Sequence, residues 1–358
     1  MWIHYALTAF LCLLNLIKFK PDIRKNYILS FSFLLIGLFM GLRYDYGLDY
    51  WNYYELFELQ RVYYHPEEFL FWKFFFAFPK YYQFILVKSL LLAGMLYYMV
   101  RKYVPHKYYS LFILFFMTNG SLIYTMITAE RTCMGAMLLW IGLEFFYFRQ
   151  KRIPLLIGTI IVSSFFHTIL LSMLLIPFVD AIYKRQSGVI IIFLIMALIL
   201  GMVITPLLFS YVTSEFEAFS AYEHYGEGRF GSANLLGTLF KGLLLLPMYI
   251  ILMPVKKMSK DGIYVKFTVL TLCYFSVYFT GLESDGRIGM ILLPFFVILM
   301  LQRADMLNNS IDRLCLVIPF AMITAFNSYN MYNRMLKETW LPGNYVTYQT
   351  ILDVGFYE

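Results

Sequence analysis

Arg43-Tyr44-Asp45-Tyr46-Gly47-Leu48-Asp49-Tyr50-Trp51-Asn52-Tyr53-Tyr54 follows directly on the apolar run Ile28 to Leu42. These twelve residues hold one cation, two acids and six aromatic rings. A run of that kind can enter a bilayer, so the charges fall where hydrocarbon meets water. That is the setting of a headgroup or sugar site rather than of a packed core.

The rest of the chain repeats this pattern. Of the 358 residues, 61% are hydrophobic and only 14% charged, against roughly 25% charged in an ordinary soluble domain. The composition is that of an integral membrane protein. The polar gaps are too short for a separate soluble domain, so a single polytopic domain over 1–358 is expected. The net charge of +7 could suggest nucleic acid. The Lys and Arg residues, however, stand in small clusters between apolar runs and form no continuous basic face, which argues against that partner. Cys12, Cys133, Cys273 and Cys315 lie inside apolar runs at scattered spacing, so neither a CxxC metal site nor a disulfide framework is indicated. No basic region or small-residue cleavage site accompanies the first apolar run, which is expected to stay as a helix.

Apolar runs occur at about 2–17, 27–42, 83–100, 108–128, 129–148, 153–182, 187–209, 234–253, 263–282, 288–302 and 314–329. Basic clusters orient them: Lys18/Lys20/Arg24/Lys25, Arg101/Lys102/Lys107, Arg149/Lys151/Arg152, Lys184/Arg185, Lys256/Lys257/Lys260 and Arg303/Arg313 should face the cytoplasm. Both flanks of 153–182 are then cytoplasmic. That run is expected to fold as two short helices, re-entrant or tilted, with Ser163 to Thr168 at the junction and His167 at its deep or outer end. The result is an all-α, polytopic protein of about 12 transmembrane or re-entrant helices with both termini outside. The acid-rich and aromatic segments then share one outer face: 43–82, Glu130/Arg131, His167, the loop 210–233, Glu283 to Arg287 and the tail 330–358. Such convergence points to a single outward-facing site.

Each candidate has a plain structural alternative. Arg43 ends an apolar helix and could simply snorkel to headgroups. Asp45 and Asp49 suit loop acids or helix caps, with Gly47 giving the turn between them. Glu130 and Arg131 open a helix, where the acid suits the dipole and the Arg does not. A histidine in an apolar setting often just donates to a carbonyl, yet His167 is also a candidate general base. Arg287 could pair locally with Glu283 or Asp285. Tyr50, Tyr53, Tyr222 and Asp285 suit sugar binding, though the loop around Tyr222 is also typical of a solvated one. Together, three arginines near the membrane plane favour a bound diphosphate, because a guanidinium stays charged when desolvated and grips phosphate oxygens in pairs. Aromatic rings suit carbohydrate, and apolar helices suit an isoprenoid tail.

On these residues the chain resembles the EpsG/Wzy-like family of bacterial polysaccharide and O-antigen polymerases. The resemblance rests on Arg43-x-x-x-Gly47-x-Asp49-Tyr50-x-x-Tyr53, on Arg131 opening a later helix, on Ser164-Phe165-Phe166-His167-Thr168 after a basic turn, and on Arg287 starting a late helix. Leu48 stands where the family more often has Thr, and Thr168 where it often has Ser; the stretch 188–260 carries little family signal. The resemblance implies a GT-C-like, lipid-dependent glycosyltransferase in the bacterial inner (cytoplasmic) membrane, with its active site facing the periplasm or cell exterior. A growing glycan would pass from undecaprenyl diphosphate to the non-reducing end of a lipid-linked repeat unit. Arg43, Arg131 and Arg287 would stabilise the diphosphate leaving group without a metal or other cofactor, and no acid cluster typical of a Mg²⁺ site stands in the sequence. Asp49, Glu130 or His167 would deprotonate the acceptor hydroxyl, with His167 favoured because a neutral imidazole is basic near pH 7. A chain-length-regulating copolymerase and a flippase are candidate partners. The alternative function is a transporter or flippase of polyprenyl-linked sugars. An outer-face polar set argues against it, because alternating access needs groups at the midplane or on both sides.

Overall fold

The computed structural model describes residues 2–17, 22–44, 49–60, 66–185, 262–280, 287–307, 310–337 and 349–350. Nearly all of them are helical. The helices are α1 (Trp2–Leu16), α2 (Asp22–Gly41), α3 (Tyr50–Glu58), α4 (Phe69–Phe75), α5 (Tyr81–Tyr103), α6 (Tyr109–Thr118), α7 (Gly120–Thr128), α8 (Glu130–Gly142), α9 (Ile153–Ser164), α10 (Leu175–Arg185), α11 (Ile263–Thr280), α12 (Arg287–Met306) and α13 (Ser310–Lys337). A π-helical segment, Leu143–Arg149, extends α8, and a 3-10 segment, Thr168–Leu174, follows α9. β1 (Arg43–Tyr44) pairs antiparallel with β2 (Gln349–Thr350).

Among the described residues, α5 and α12 are each long and apolar enough to cross a membrane, and α6 with α7 forms an apolar pair bent by 62°, a broken span or a re-entrant loop. Shorter apolar helices cover Ile3–Leu16, Lys25–Gly41, Ile153–Ser164, Thr168–Tyr183 and Ile263–Phe275. This is an all-α membrane protein. The expected runs 187–209 and 234–253 lie outside the described residues.

The chain divides into two compact units. One contains residues 1–174, 301–306 and 324–358; the other contains 175–300 and 307–323. In the second unit α10 packs on α11.

In the first unit, glycines decide which helices meet. Gly37 and Gly41 lie four apart on α2, and a Cβ at either would touch α5: Leu90 and Ala93 at 3.1 Å from Gly37, the Leu86 backbone at 3.0 Å from Gly41. Small residues one turn apart let two helix backbones approach closely, the usual device where lipid removes the hydrophobic drive for helix pairing. The approach carries Arg43, just past the end of α2, toward Lys88 on α5. Gly135 and Gly142 do the same for α8. A Cβ at Gly135 would stand 2.1 Å from Leu170 Cδ1 and 3.0 Å from the Ser163 carbonyl oxygen; one at Gly142 would stand 2.3 Å from Thr159 Cγ2.

Two breaks shape the rest. Asn119 interrupts the run 108–128, its side-chain oxygen accepting from the Leu122 N–H at 3.1 Å and so capping α7. The run 153–182 breaks after Ser164, and Phe165 and Phe166 form a turn held by N–H bonds to the Val162 and Ser163 carbonyls. That is the junction expected from sequence, with His167 in it. The connection from α8 to α9 passes through Lys151 at φ 55°, and the Arg152 N–H reaches back to the Phe146 carbonyl at 2.7 Å. The left-handed residue turns the chain sharply, so α8 and α9 pack as an antiparallel pair.

These close approaches give a paired test. Gly135→Ala should lower the melting temperature of the detergent-solubilised protein by several degrees, because Leu170 and the Ser163 carbonyl must both yield. Gly94→Ala meets nothing within 4 Å and should be neutral or stabilising by roughly 0.5–1 kcal/mol, the ordinary helix gain of Ala over Gly. Equal effects at the two positions would contradict the packing described.

Candidate functional site

Glu130 and Arg131 are adjacent in the first turn of α8, and their side chains leave in different directions, as neighbours on a helix must. Each enters a separate ionic cluster. Glu130, fully buried, is bound by two cations: Arg43 Nη2 contacts Oε1, and Lys88 Nζ lies 2.6 Å from Oε2. Arg43 and Lys88 are each 1% exposed. Lys88 Nζ also donates to the Met126 carbonyl oxygen at 3.3 Å. A buried acid needs polar partners, and here Arg43, just past α2, and Lys88 of α5 supply them.

The second cluster centres on Glu68. This carboxylate is also fully buried, and three donors from two other segments reach it. Arg131 Nη1 donates to Oε2 at 2.7 Å. His167 Nδ1 donates to Oε1 at 2.6 Å, and the Thr168 N–H reaches the same oxygen at 3.0 Å. Arg131 Nε further donates to the Tyr53 hydroxyl at 3.2 Å. The Arg131 side chain, 17% exposed, is the most accessible charge of either cluster.

Local structure explains the meeting. Glu68 occupies the cap position of α4, but its side chain makes no cap bond there. Instead α4 lies against the turn after α9. The Phe71 N–H points to the Phe165 carbonyl at 3.4 Å, and the Phe69 and Phe165 rings sit 5.0 Å apart. Gly135 admits the other side of that turn, with Phe166 Cβ 3.2 Å from where its own Cβ would stand. Arg131 is one helical turn before Gly135, on the same face of α8. The glycine that seats the turn therefore also brings His167 and Arg131 to one carboxylate.

Electrostatics fix the protonation states. Burial alone would raise the Glu68 carboxyl, but the His167 bond and charge, Arg131 and the Thr168 N–H outweigh it and bring it down to about 2. An ionised carboxylate can only accept, so Nδ1 of His167 carries the proton it shares with Glu68, and Nε2 is the ring nitrogen left for other partners. The Tyr53 hydroxyl is pushed up to about 12 by burial, against the lowering effect of Arg131. It stays neutral near pH 7.

Arg43, Glu130, Arg131, His167 and Tyr53 thus join these two clusters. Tyr50 packs its ring against Tyr81 at 5.4 Å and Tyr54 at 6.5 Å. Asp49 stands at the cap of α3, where its main-chain oxygen accepts from the Tyr53 N–H at 3.0 Å. Arg287 is the first residue of α12, in the second unit. Tyr222 and Asp285 lie outside the described residues. Among the described residues no group of three or more His, Cys, Asp or Glu side chains forms a metal-ligand set. Two members went unread in the sequence. Lys88 is a lone cation inside an apolar span, which is a signal in its own right. Glu68 stands in Pro66-Glu67-Glu68-Phe69, inside the acid-rich and aromatic segment 43–82 but not singled out within it.

Residues 26–349 match the EpsG family. The chain belongs to the EpsG family. No curated protein and no solved structure matches it. The match spans both ionic clusters and both breaks that shape the first unit, and EpsG family membership supports a role of the polysaccharide-polymerase kind in a membrane.

The depressed Glu68 carboxyl has a measurable consequence. Its contribution to stability is fully present above the ordinary value of 4.5 and is lost as pH falls toward about 2. The melting-temperature gap between wild type and Glu68→Gln should therefore be wide near neutral pH and narrow steadily in acid. A gap as wide at pH 3 as at pH 7 would contradict the ionised, three-donor carboxylate.

Proposed function

We propose that this protein is a polysaccharide polymerase. It passes a growing glycan from undecaprenyl diphosphate to a sugar hydroxyl of a second lipid-linked repeat unit, at the outer face of the bacterial cytoplasmic membrane. The observation that carries the reading is the single carboxylate of Glu68 holding both Arg131 and His167. Transfer from a lipid diphosphate needs an anion-binding cation and a base within one site, and the family membership supports the same chemistry.

In this reading Arg131 grips a phosphate oxygen of the donor, its side chain being the accessible charge of the cluster. His167 Nε2 takes the proton of the acceptor hydroxyl, whose oxygen forms a bond to the anomeric carbon. The bond from that carbon to the phosphate oxygen breaks, its electron pair leaves with undecaprenyl diphosphate, and the proton rests on the imidazole. Charge growing on the leaving oxygen is met by preoriented cations. The Arg43–Glu130–Lys88 cluster supports the start of α8 from below and adds positive potential behind Arg131. Glu130 is held by Arg43 and Lys88; Asp49 and Glu130 are the alternatives to His167. Arg287 is proposed as a further phosphate ligand on its motif position. Tyr50 and Tyr53, with Tyr222 and Asp285, are proposed on the sugar side. About twelve crossings in one GT-C-like membrane domain, with a flippase supplying repeat units and a copolymerase setting length, complete the proposal.

The test is purified protein in nanodiscs supplied with an undecaprenyl-diphosphate-linked repeat unit and scored for a ladder of longer products, with and without EDTA. A ladder that persists in EDTA is expected. His167→Ala should reduce turnover on the order of 10²–10⁴-fold, as for loss of a general base, and Arg131→Lys should give severe loss at normal membrane levels because the bidentate fork is gone. No ladder from folded, nanodisc-inserted protein would overturn the polymerase reading. Transport of intact lipid-linked oligosaccharide would replace it.

A further inference from the structure

We propose that Glu68 is a positioning residue: it holds His167 in one tautomer and couples the basicity of that ring to the occupancy of Arg131. The inference rests on the polymerase reading and adds a regulatory link to the same site. Its basis is geometric. The two oxygens of one buried carboxylate serve two different functional groups, Oε2 taking Arg131 Nη1 at 2.7 Å and Oε1 taking His167 Nδ1 at 2.6 Å. Glu68 is fully buried and His167 is 6% exposed, so each partner feels how far the other neutralises the carboxylate.

Glu68 faces the imidazole ring from the segment before α4. Arg131 stands behind Glu68 on α8, and Tyr53 on α3 stands behind Arg131, neutral near pH 7. Ser164 and Thr168, on its own turn, do not titrate. With the site empty, Arg131 draws on the Glu68 charge and leaves less of it for the imidazole. When a diphosphate oxygen binds the guanidinium, Arg131 is shared with the new anion, and more of the Glu68 charge acts on His167. The ring becomes a stronger base when a donor is in place. Idle enzyme thus holds a weaker base, which disfavours activation of water in place of a sugar hydroxyl.

Two substitutions should move the same titration in opposite directions. Glu68→Gln removes the anion beside the imidazole, so the acidic limb of the pH–rate profile for polymer formation should shift to lower pH by about one unit. Arg131→Gln removes the competing cation, so the limb should shift to higher pH. The same two shifts should appear in ¹⁵N-histidine NMR of the protein in nanodiscs, with the His167 signal identified by its loss in His167→Ala. NMR keeps the test open where a variant is too slow to assay. If Glu68→Gln does not fold, Arg131→Gln decides alone, and an unmoved or lowered midpoint overturns the coupling. Shifts in the same direction for both variants, or none for either, also overturn it. A wild type that makes no polymer sinks the polymerase reading, while the NMR midpoints still decide the coupling.

Discussion

A carboxylate taken out of water is tolerated only when donors replace the water, and Glu68 receives its donors from α8, from the His167 ring and from the main chain after α9. Removing any one partner would leave charge or polarity stranded in an apolar surrounding. The positions of α4, α8 and the α9 turn are therefore set together rather than one at a time. This explains why the clustered charged groups of the first unit sit at the ends and breaks of helices. There the backbone leaves its ladder, and side chains and N–H groups are available to converge.

The neighbouring cluster follows the same rule. Glu130 is one anion between two cations, Glu68 one anion between a guanidinium and an imidazole. The two acids bracket the start of α8, and the guanidinium that follows Glu130 in the chain is drawn into the Glu68 cluster. Small residues make both clusters possible. Gly37 and Gly41 bring α2 onto α5 so that Arg43 and Lys88 approach one acid, and Gly135 lets the His167 turn lie against the face that carries Arg131.

Much of this was legible in the sequence, for reasons that can be stated. Hydrophobic length announces helices in a membrane, so α2, α5, α8, α11 and α12 fall where apolar runs do. The break inside 153–182 was legible because a run between two basic flanks must turn back. Arg43, Arg131 and His167 were readable because charge at the edge of an apolar run is costly and needs a reason. Which charge meets which was not readable. Glu130 lies between two cations because the partner of a buried acid is chosen by helix packing at long sequence separation. Glu68 escaped notice since an acid beside a proline before an aromatic helix looks like an ordinary cap, and only the docking of α4 on the Phe165 turn sends its carboxylate elsewhere. Lys88 was hidden by the apolar run around it.

The central claim is that one buried carboxylate joins an anion-binding arginine to an oriented histidine at the place where the donor diphosphate sits. The most direct measurement is an experimental structure of the protein in a lipid nanodisc with undecaprenyl diphosphate bound. The account predicts phosphate oxygens within hydrogen-bond reach of Arg131, with Glu68 still bonded to His167 Nδ1. A diphosphate bound elsewhere, with Arg131 and His167 on separate partners, would contradict it.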